Sequence, residues 1–127
     1  LLSLQVNSQG QEISNLEGIL QLNDISQIIE RNNQLYLLDM NKGVYIFDLY
    51  GSLIEFKKAI GVKYIDANET SLFLLKEKEI EIIVLNNSDN LSILLPVNNV
   101  TEFLYKNQLF FFRTLTNVHK YSLKFDK

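Results

Sequence analysis

The residues that could do chemistry in this chain are few and scattered. His119 is the only histidine and cysteine is absent, so a histidine–cysteine metal site cannot be built and a Ser–His–Asp triad would depend on one imidazole. No pair of carboxylates recurs at a spacing typical of a general acid and base. The five glycines occur singly, which leaves no phosphate-binding loop. The sequence therefore predicts no catalytic residue, metal ligand or cofactor, and it favours a protein that is not an enzyme.

Composition narrows the classes of partner. The net charge is −3 and the pI is about 5.1, whereas proteins that bind nucleic acid usually present a basic face. With 46% hydrophobic and 21% charged residues, the chain has the composition of an ordinary globular domain. No apolar run approaches the ~18 residues of a transmembrane helix. We therefore expect a protein partner, no nucleic acid and no transmembrane segment.

A short apolar phrase occurs three times, as NQLYLLD (33–39), TSLFLLK (70–76) and NQLFFFR (107–113). Their central leucines are spaced 37 residues apart, and carrying that offset along the chain aligns His119 with apolar residues of the other copies. His119 is therefore predicted to be a strand residue that packs on a neighbour. A constant period of this length is typical of a repeat protein.

Each repeat contains four short runs rich in β-branched and aromatic residues, separated by Asn, Gly, Ser and charged residues, which predicts strands joined by hairpins. Four antiparallel strands in ~40 residues are typical of a β-propeller blade, and a middle strand covered on both faces explains the nearly continuous apolar phrase. We predict an all-β fold, an arc of about three four-stranded antiparallel blades. A β-sandwich stays open as the alternative, because short strands and turns serve both folds.

The predicted blades divide the chain into four parts. Residues 1–20 form the end of a blade, 21–60 and 61–97 form full blades, and 98–127 form a last blade of three strands. An open arc of this size exposes apolar faces, so we expect the chain to be a fragment of a six-bladed ring. Closure of one ring by two copies is the alternative. Residues 1–9 also allow a second interpretation, the remnant of a signal peptide.

The best candidate for a binding surface is the end of the arc that carries the loops after the second strands. Asp39, Lys76 and Arg113 share the 37-residue register, and Lys42 and Asn117 lie in the neighbouring turns. An acid and two bases at one level of a ring can recognise a polar partner. They can equally be unrelated surface residues, and both interpretations stay open.

The stretch LYLLDMNKGVYIFDLYGSLI (35–54) resembles the NHL type of propeller repeat. Asp39, Phe47, Asp48 and Gly51 carry the resemblance, whereas Lys76 and Arg113 replace Asp39 in the other copies. In the general pattern of its residues, the chain also resembles exported six-bladed propeller proteins of Bacteroidetes. This resemblance implies a bacterial protein in the periplasm or cell envelope.

Three functions are compatible with these observations. The first is a non-enzymatic binding or scaffold module that engages a protein or polar ligand on a propeller face. The second is a propeller enzyme, a lyase or hydrolase, whose site lies on blades missing from this chain. The third is a structural subunit of a bacterial envelope assembly.

Overall fold

A computed structural model describes residues 24–85 and 89–123, and these contain eleven β-strands and no helix. The strands are β1 (Ile25–Arg31), β2 (Gln34–Asp39), β3 (Gly43–Asp48), β4 (Leu53–Lys58), β5 (Tyr64–Ala67), β6 (Ser71–Leu75), β7 (Glu79–Val84), β8 (Asn90–Leu94), β9 (Glu102–Lys106), β10 (Leu109–Arg113) and β11 (Val118–Ser122). The strands predicted in residues 1–20 lie outside the described residues. No helix in the described ranges is long and apolar enough to cross a membrane.

The strands form three separate antiparallel sheets, each in simple chain order. The first sheet is β1-β2-β3-β4, the middle sheet is β5-β6-β7-β8, and the third sheet is β9-β10-β11. Two-residue turns join the first two strands of every sheet, because Arg31 pairs with Gln34 and Lys106 pairs with Leu109, and Asn68 bonds to Ser71. The structure therefore confirms the predicted all-β fold of antiparallel sheets.

The three sheets are stacked so that the middle sheet is covered on both faces. Leu72 and Leu74 pack with residues of the first sheet, whereas Phe73 and Leu75, next to them along β6, pack with residues of the third sheet. Successive side chains of a strand point to opposite faces, so two covered faces require every residue of β6 to be apolar or small. This is the physical reason for the uninterrupted apolar phrase.

The first strand of each sheet lies at the inner edge of the arc. β5 contacts both β1 and β9. Among the described strands, each of these three pairs on one side only, with the second strand of its own sheet. Sheets that stack face to face around a shared line of first strands form the arc of a β-propeller.

The constant 37-residue register is wrong by one residue at two places. Asp39 pairs with Gly43 across three loop residues, whereas Lys76 bonds to Glu79 across two, so β7 is shifted by one position against β3. In the third sheet Leu104 pairs with Phe111, and Phe110 and Phe112 face the middle sheet. That sheet therefore follows the middle one at 38 residues. His119 does lie in a strand, half-buried and paired with Phe112.

Candidate functional site

Asp39, the first predicted site residue, ends β2 and is only 1% exposed. One carboxylate oxygen, Oδ1, accepts a hydrogen bond of 2.8 Å from the backbone N–H of Asn41. The other oxygen, Oδ2, is buried and has no hydrogen-bond partner among the described residues. Lys42 is exposed in the same turn. The side chain of Asp39 thus shapes its own turn and keeps one oxygen unused.

The other predicted site residues do not gather around Asp39. Lys76 forms an ion pair with Glu81 (Nζ–Oε1 2.9 Å), and Arg113 forms one with Glu102 (Nη1–Oε1 2.9 Å). The shifted register makes Thr114 the equivalent of Lys76, so Arg113 lies on the face of the third sheet that points away from the middle sheet. Asn117 is exposed in the turn before β11, where its N–H bonds to Thr114 Oγ1.

The structure instead brings charged residues together at the inner edge, where the first strands of the three sheets meet. A cavity of about 270 Å³ lies there, and we call it the axial groove. Its polar lining residues are Gln27, Arg31, Tyr64, Asp66, Glu102 and Arg113. Leu104, Phe111 and Val118 supply an apolar wall. Two basic and two acidic side chains balance the charge of the groove.

Asp66 is the residue on which the three sheets converge. Its side chain is 4% exposed, and Oδ1 lies 3.0 Å from Arg31 Nε of the first sheet. Oδ1 also accepts the N–H of Ala67 (2.9 Å), and Oδ2 accepts the N–H of Tyr105 in the third sheet (3.3 Å). A buried carboxylate needs such partners, since an unpaired buried charge is costly. Asp66 therefore joins all three sheets at the floor of the groove.

Gln27 makes a second connection between sheets. Its side-chain Nε2 donates to the carbonyl of Ile65 (2.9 Å), and its Oε1 accepts the N–H of the same residue (2.7 Å). Ile65 lies in β5, whose inner edge pairs with none of the described strands. The amide of Gln27 thus pairs with this edge as another backbone would, and satisfied edge groups discourage strand addition there.

Tyr64 gives the groove a hydroxyl group and an aromatic wall. Its ring lies edge-on to Phe103, with centroids 5.8 Å apart. Burial raises the pKa of Tyr64 above its usual 10.0, the charges of Glu102 and Asp66 raise it further, and Arg31 opposes them. The hydroxyl therefore stays protonated at neutral pH and can both donate and accept a hydrogen bond.

The groove continues toward the turns at the other end of the inner strands. A second, more open cavity of about 500 Å³ shares Arg31, Asp66 and Leu104 with the first and is also lined by Lys106 and Glu69. In the described residues no group of three or more His, Cys, Asp or Glu side chains could hold a metal ion.

Sequence reasoning missed the axial groove because it searched the loops after the second strands. One signal was available. Asp66 lies inside the otherwise apolar strand β5, and Arg31 and Glu102 lie at the ends of the first strands β1 and β9. A charged residue inside an apolar strand needs a partner, and the first strands of adjacent blades are neighbours.

Comparisons with known proteins identify the fold and no family. No protein-family model matches the chain, and no curated protein matches it. Among solved structures it is similar to the computationally designed Ika4 protein, with a TM-score of 0.57 and 9% identity over 79% of this chain and 66% of that protein.

The N-terminal domain of Nup159, a β-propeller, is a second structural neighbour. The TM-score is 0.50 and the identity 17%, over 76% of this chain and 32% of that one. At such identities the likeness shows the fold alone. Together with the stacked sheets, it supports a partial propeller.

Proposed function

We propose that this chain is a non-enzymatic binding module whose axial groove holds a small polar molecule. One observation carries the proposal. Three polar atoms of groove-lining side chains, Arg31 Nη2, Tyr64 Oη and Glu102 Oε2, make no hydrogen bond to the described residues. They provide a cationic donor, a neutral hydroxyl and an anionic acceptor around one cavity.

The chemistry of these atoms defines the class of ligand. Because the groove carries both signs of charge in equal number, a zwitterion matches it better than an anion or a cation. The volume of about 270 Å³ is close to the lower end of small-molecule sites, ~300–1,000 Å³. An α-amino acid has this size and charge pattern, with its carboxylate near Arg31 and its ammonium near Glu102.

The test is an NMR titration of the whole chain with free amino acids and, for comparison, neutral monosaccharides. We expect saturable amide shifts that cluster at Arg31, Tyr64 and Glu102. Glu102→Gln and Tyr64→Phe should weaken the binding at least ~10-fold, about 1.4 kcal/mol. Glu81→Gln, a carboxylate paired with Lys76 outside the groove, is the matched control and should change nothing.

Two results would overturn the proposal. One is the absence of saturable shifts with every amino acid of the panel. The other is a set of shifts centred on Asp39 and Lys42, which would move the site to the loop end of the arc.

Several finer predictions accompany this proposal. The loop-end set of Asp39, Lys42, Lys76, Arg113 and Asn117 stays a predicted surface for a protein partner, and the exposure of Lys42 and Asn117 supports it. The NHL-type repeat, the bacterial origin and the extracytoplasmic location stay predictions. Support for the NHL type is the turn in which Asp48 Oδ1 accepts the N–H groups of Tyr50 and Ser52.

A further inference from the structure

The outer edge of the third sheet differs from the outer edges of the other two. In the first and middle sheets a fourth strand, β4 or β8, pairs with the third strand. In the described part of the third sheet β11 is itself the outer strand. Val118, Lys120 and Ser122 of this strand are all exposed.

The pairing pattern shows which backbone groups of β11 make no hydrogen bond to the described strands. The N–H of Thr114 bonds to the carbonyl of Asn117, and the N–H of Leu123 bonds to that of Gln108. Hydrogen-bonded pairs alternate along an antiparallel ladder, so His119 and Tyr121 direct their backbone groups toward β10. The N–H and C=O groups of Val118, Lys120 and Ser122 therefore point outward.

An apolar cavity of about 200 Å³ lies beside this edge, between the middle and third sheets. It is lined by Ile80, Ile93, Leu95, Phe110, Tyr121 and Leu123, among others. Ile80 and Phe110 also belong to the core between these two sheets, and Ile93, Leu95 and Leu123 pack against it. The cavity is thus an open continuation of an existing sheet-to-sheet interface.

Charge makes the edge selective. Lys120 is exposed and forms no ion pair with any described residue. If two copies paired through β11 symmetrically about its centre, the two Lys120 side chains would lie opposite each other, and like charges in that position are destabilising. An acidic residue opposite Lys120 would be favourable for the same reason.

We propose that β11 is a docking edge for an extended segment of another polypeptide, which adds to the third sheet as an antiparallel fourth strand. Its backbone pairs with Val118, Lys120 and Ser122, as in strand addition generally. An acidic residue lies opposite Lys120. The residues on either side of it, opposite His119 and Tyr121, face the middle sheet and are apolar, and the one opposite Tyr121 enters the cavity.

The probe is a short fluorescent peptide in which valines alternate with glutamates, measured by anisotropy with the full chain. We expect saturable binding, and binding at least ~10-fold weaker when lysines replace the glutamates. Lys120→Glu should invert this preference. Such an inversion requires a folded protein, so it separates the proposal from a general loss of structure.

Proline variants test the backbone pairing. Ser122→Pro removes an outward N–H without touching the β10 ladder, and proline is tolerated on such edges. We expect it to weaken peptide binding at least ~10-fold. Ser92→Pro is the matched control, since Ser92 occupies the outer edge of β8 and pairs with Glu81 in the corresponding geometry. It should leave the binding unchanged.

Several results would overturn the proposal. They are equal binding of both peptides, binding insensitive to Ser122→Pro, or binding lost in Ser92→Pro. A peptide that does not bind at all would mean that a second copy or this chain itself occupies the edge. Sedimentation would distinguish these two, and either would exclude a docking edge for another polypeptide.

Discussion

Among single residues, Asp66 bonds to all three sheets. A carboxylate in the middle of an apolar strand accepts hydrogen bonds from two neighbouring sheets and from its own strand. Asp66→Ala would leave the N–H of Tyr105 without its acceptor and Arg31 without its counter-ion. Because the side chain of Arg31 is 41% exposed, water compensates part of the loss. We expect the free energy of unfolding to fall by about 2 kcal/mol, less than for fully buried pairs.

Glu102→Ala is the matched control in the same denaturation experiment. It removes a carboxylate from another arginine pair, but here both side chains are exposed, 61% for Arg113 and 41% for Glu102. Exposed pairs contribute ~0–1 kcal/mol. Equal losses in the two variants would contradict the role of Asp66 as the joint between sheets.

Because Tyr36 is buried, we predict that the stability of the fold depends on pH in the alkaline range. The side chain is 1% exposed, and burial raises its pKa above 10.0. Below pH 10 both folded and unfolded tyrosine are protonated, so the stabilisation is complete. Above pH 10 the unfolded chain loses this proton first, and stability falls as the pH rises through the pKa of the folded state.

Tyr36→Phe should therefore flatten the decline in unfolding free energy between pH 9 and pH 11. At neutral pH it should cost about 1 kcal/mol, because the hydroxyl donates to Gln34 Oε1 at 3.0 Å. Urea titrations at each pH measure both effects. A variant that declines as steeply as the parent would show that Tyr36 is not kept protonated by burial.

At the scale of elements, the hairpin turns show where the sequence departs from the best local choice. Asn107 and Gln108 both have positive φ, 54° and 64°, which is the geometry of a type I′ turn. Asparagine suits it, whereas glutamine in this region is strained. Gln108→Gly would create the Asn-Gly pair favoured in such turns, and we expect about 1 kcal/mol of added stability.

The equivalent turn of the middle sheet supplies the control. There Asn68 Oδ1 accepts the N–H groups of Thr70 and Ser71, and no residue from Asn68 to Ser71 has a positive φ. Glu69→Gly should therefore destabilise slightly, through the added freedom of the unfolded chain. Thermal unfolding measures the melting temperatures of the two variants. A shift in the same direction for both would contradict the turn assignment.

The hairpin between β2 and β3 depends on a glycine with a different requirement. Gly43 has a φ of 144°, and a Cβ there would collide with the backbone oxygen of Lys57 and lie 2.8 Å from the nitrogen of Ala59. Gly61 has a φ of 78°, with nothing within 4 Å of a Cβ. We expect Gly43→Ala to cost at least ~3 kcal/mol and Gly61→Ala about 1 kcal/mol. Similar costs in chemical denaturation would contradict this packing.

The strands and their grouping could be predicted from the sequence, and the register could not. Apolar runs between Asn, Gly and charged residues mark the strands. A constant period cannot detect that the turn after Asp39 has three residues where the turn after Lys76 has two. Nor can it detect that the third sheet follows the middle one at 38 residues, and one residue reverses the face of every following side chain. A period of 37 therefore groups Arg113 with Lys76, whereas the structure makes Thr114 the equivalent of Lys76.

At the scale of the whole molecule, the sheet stacking could also be predicted, because the phrase SLFLL allows no solvent-facing side. The axial groove depends on which residues of separate sheets become neighbours. The contact between Arg31 and Asp66 joins residues 35 positions apart, and no local pattern specifies it. The fold therefore follows from periodicity, whereas the candidate site follows only from the assembled arc.

The central claim is that the middle sheet is covered on one face by the first sheet and on the other by the third. A nuclear Overhauser experiment on methyl- and aromatic-labelled chain measures this directly. We predict contacts from Leu72 and Leu74 to Leu38 and Val44 of the first sheet, and from Phe73 and Leu75 to aromatic rings of the third sheet, Phe110 above all. Contacts from Leu74 and Phe73 to the same sheet, with one face of β6 exposed, would contradict the propeller arc and favour a two-layer sandwich.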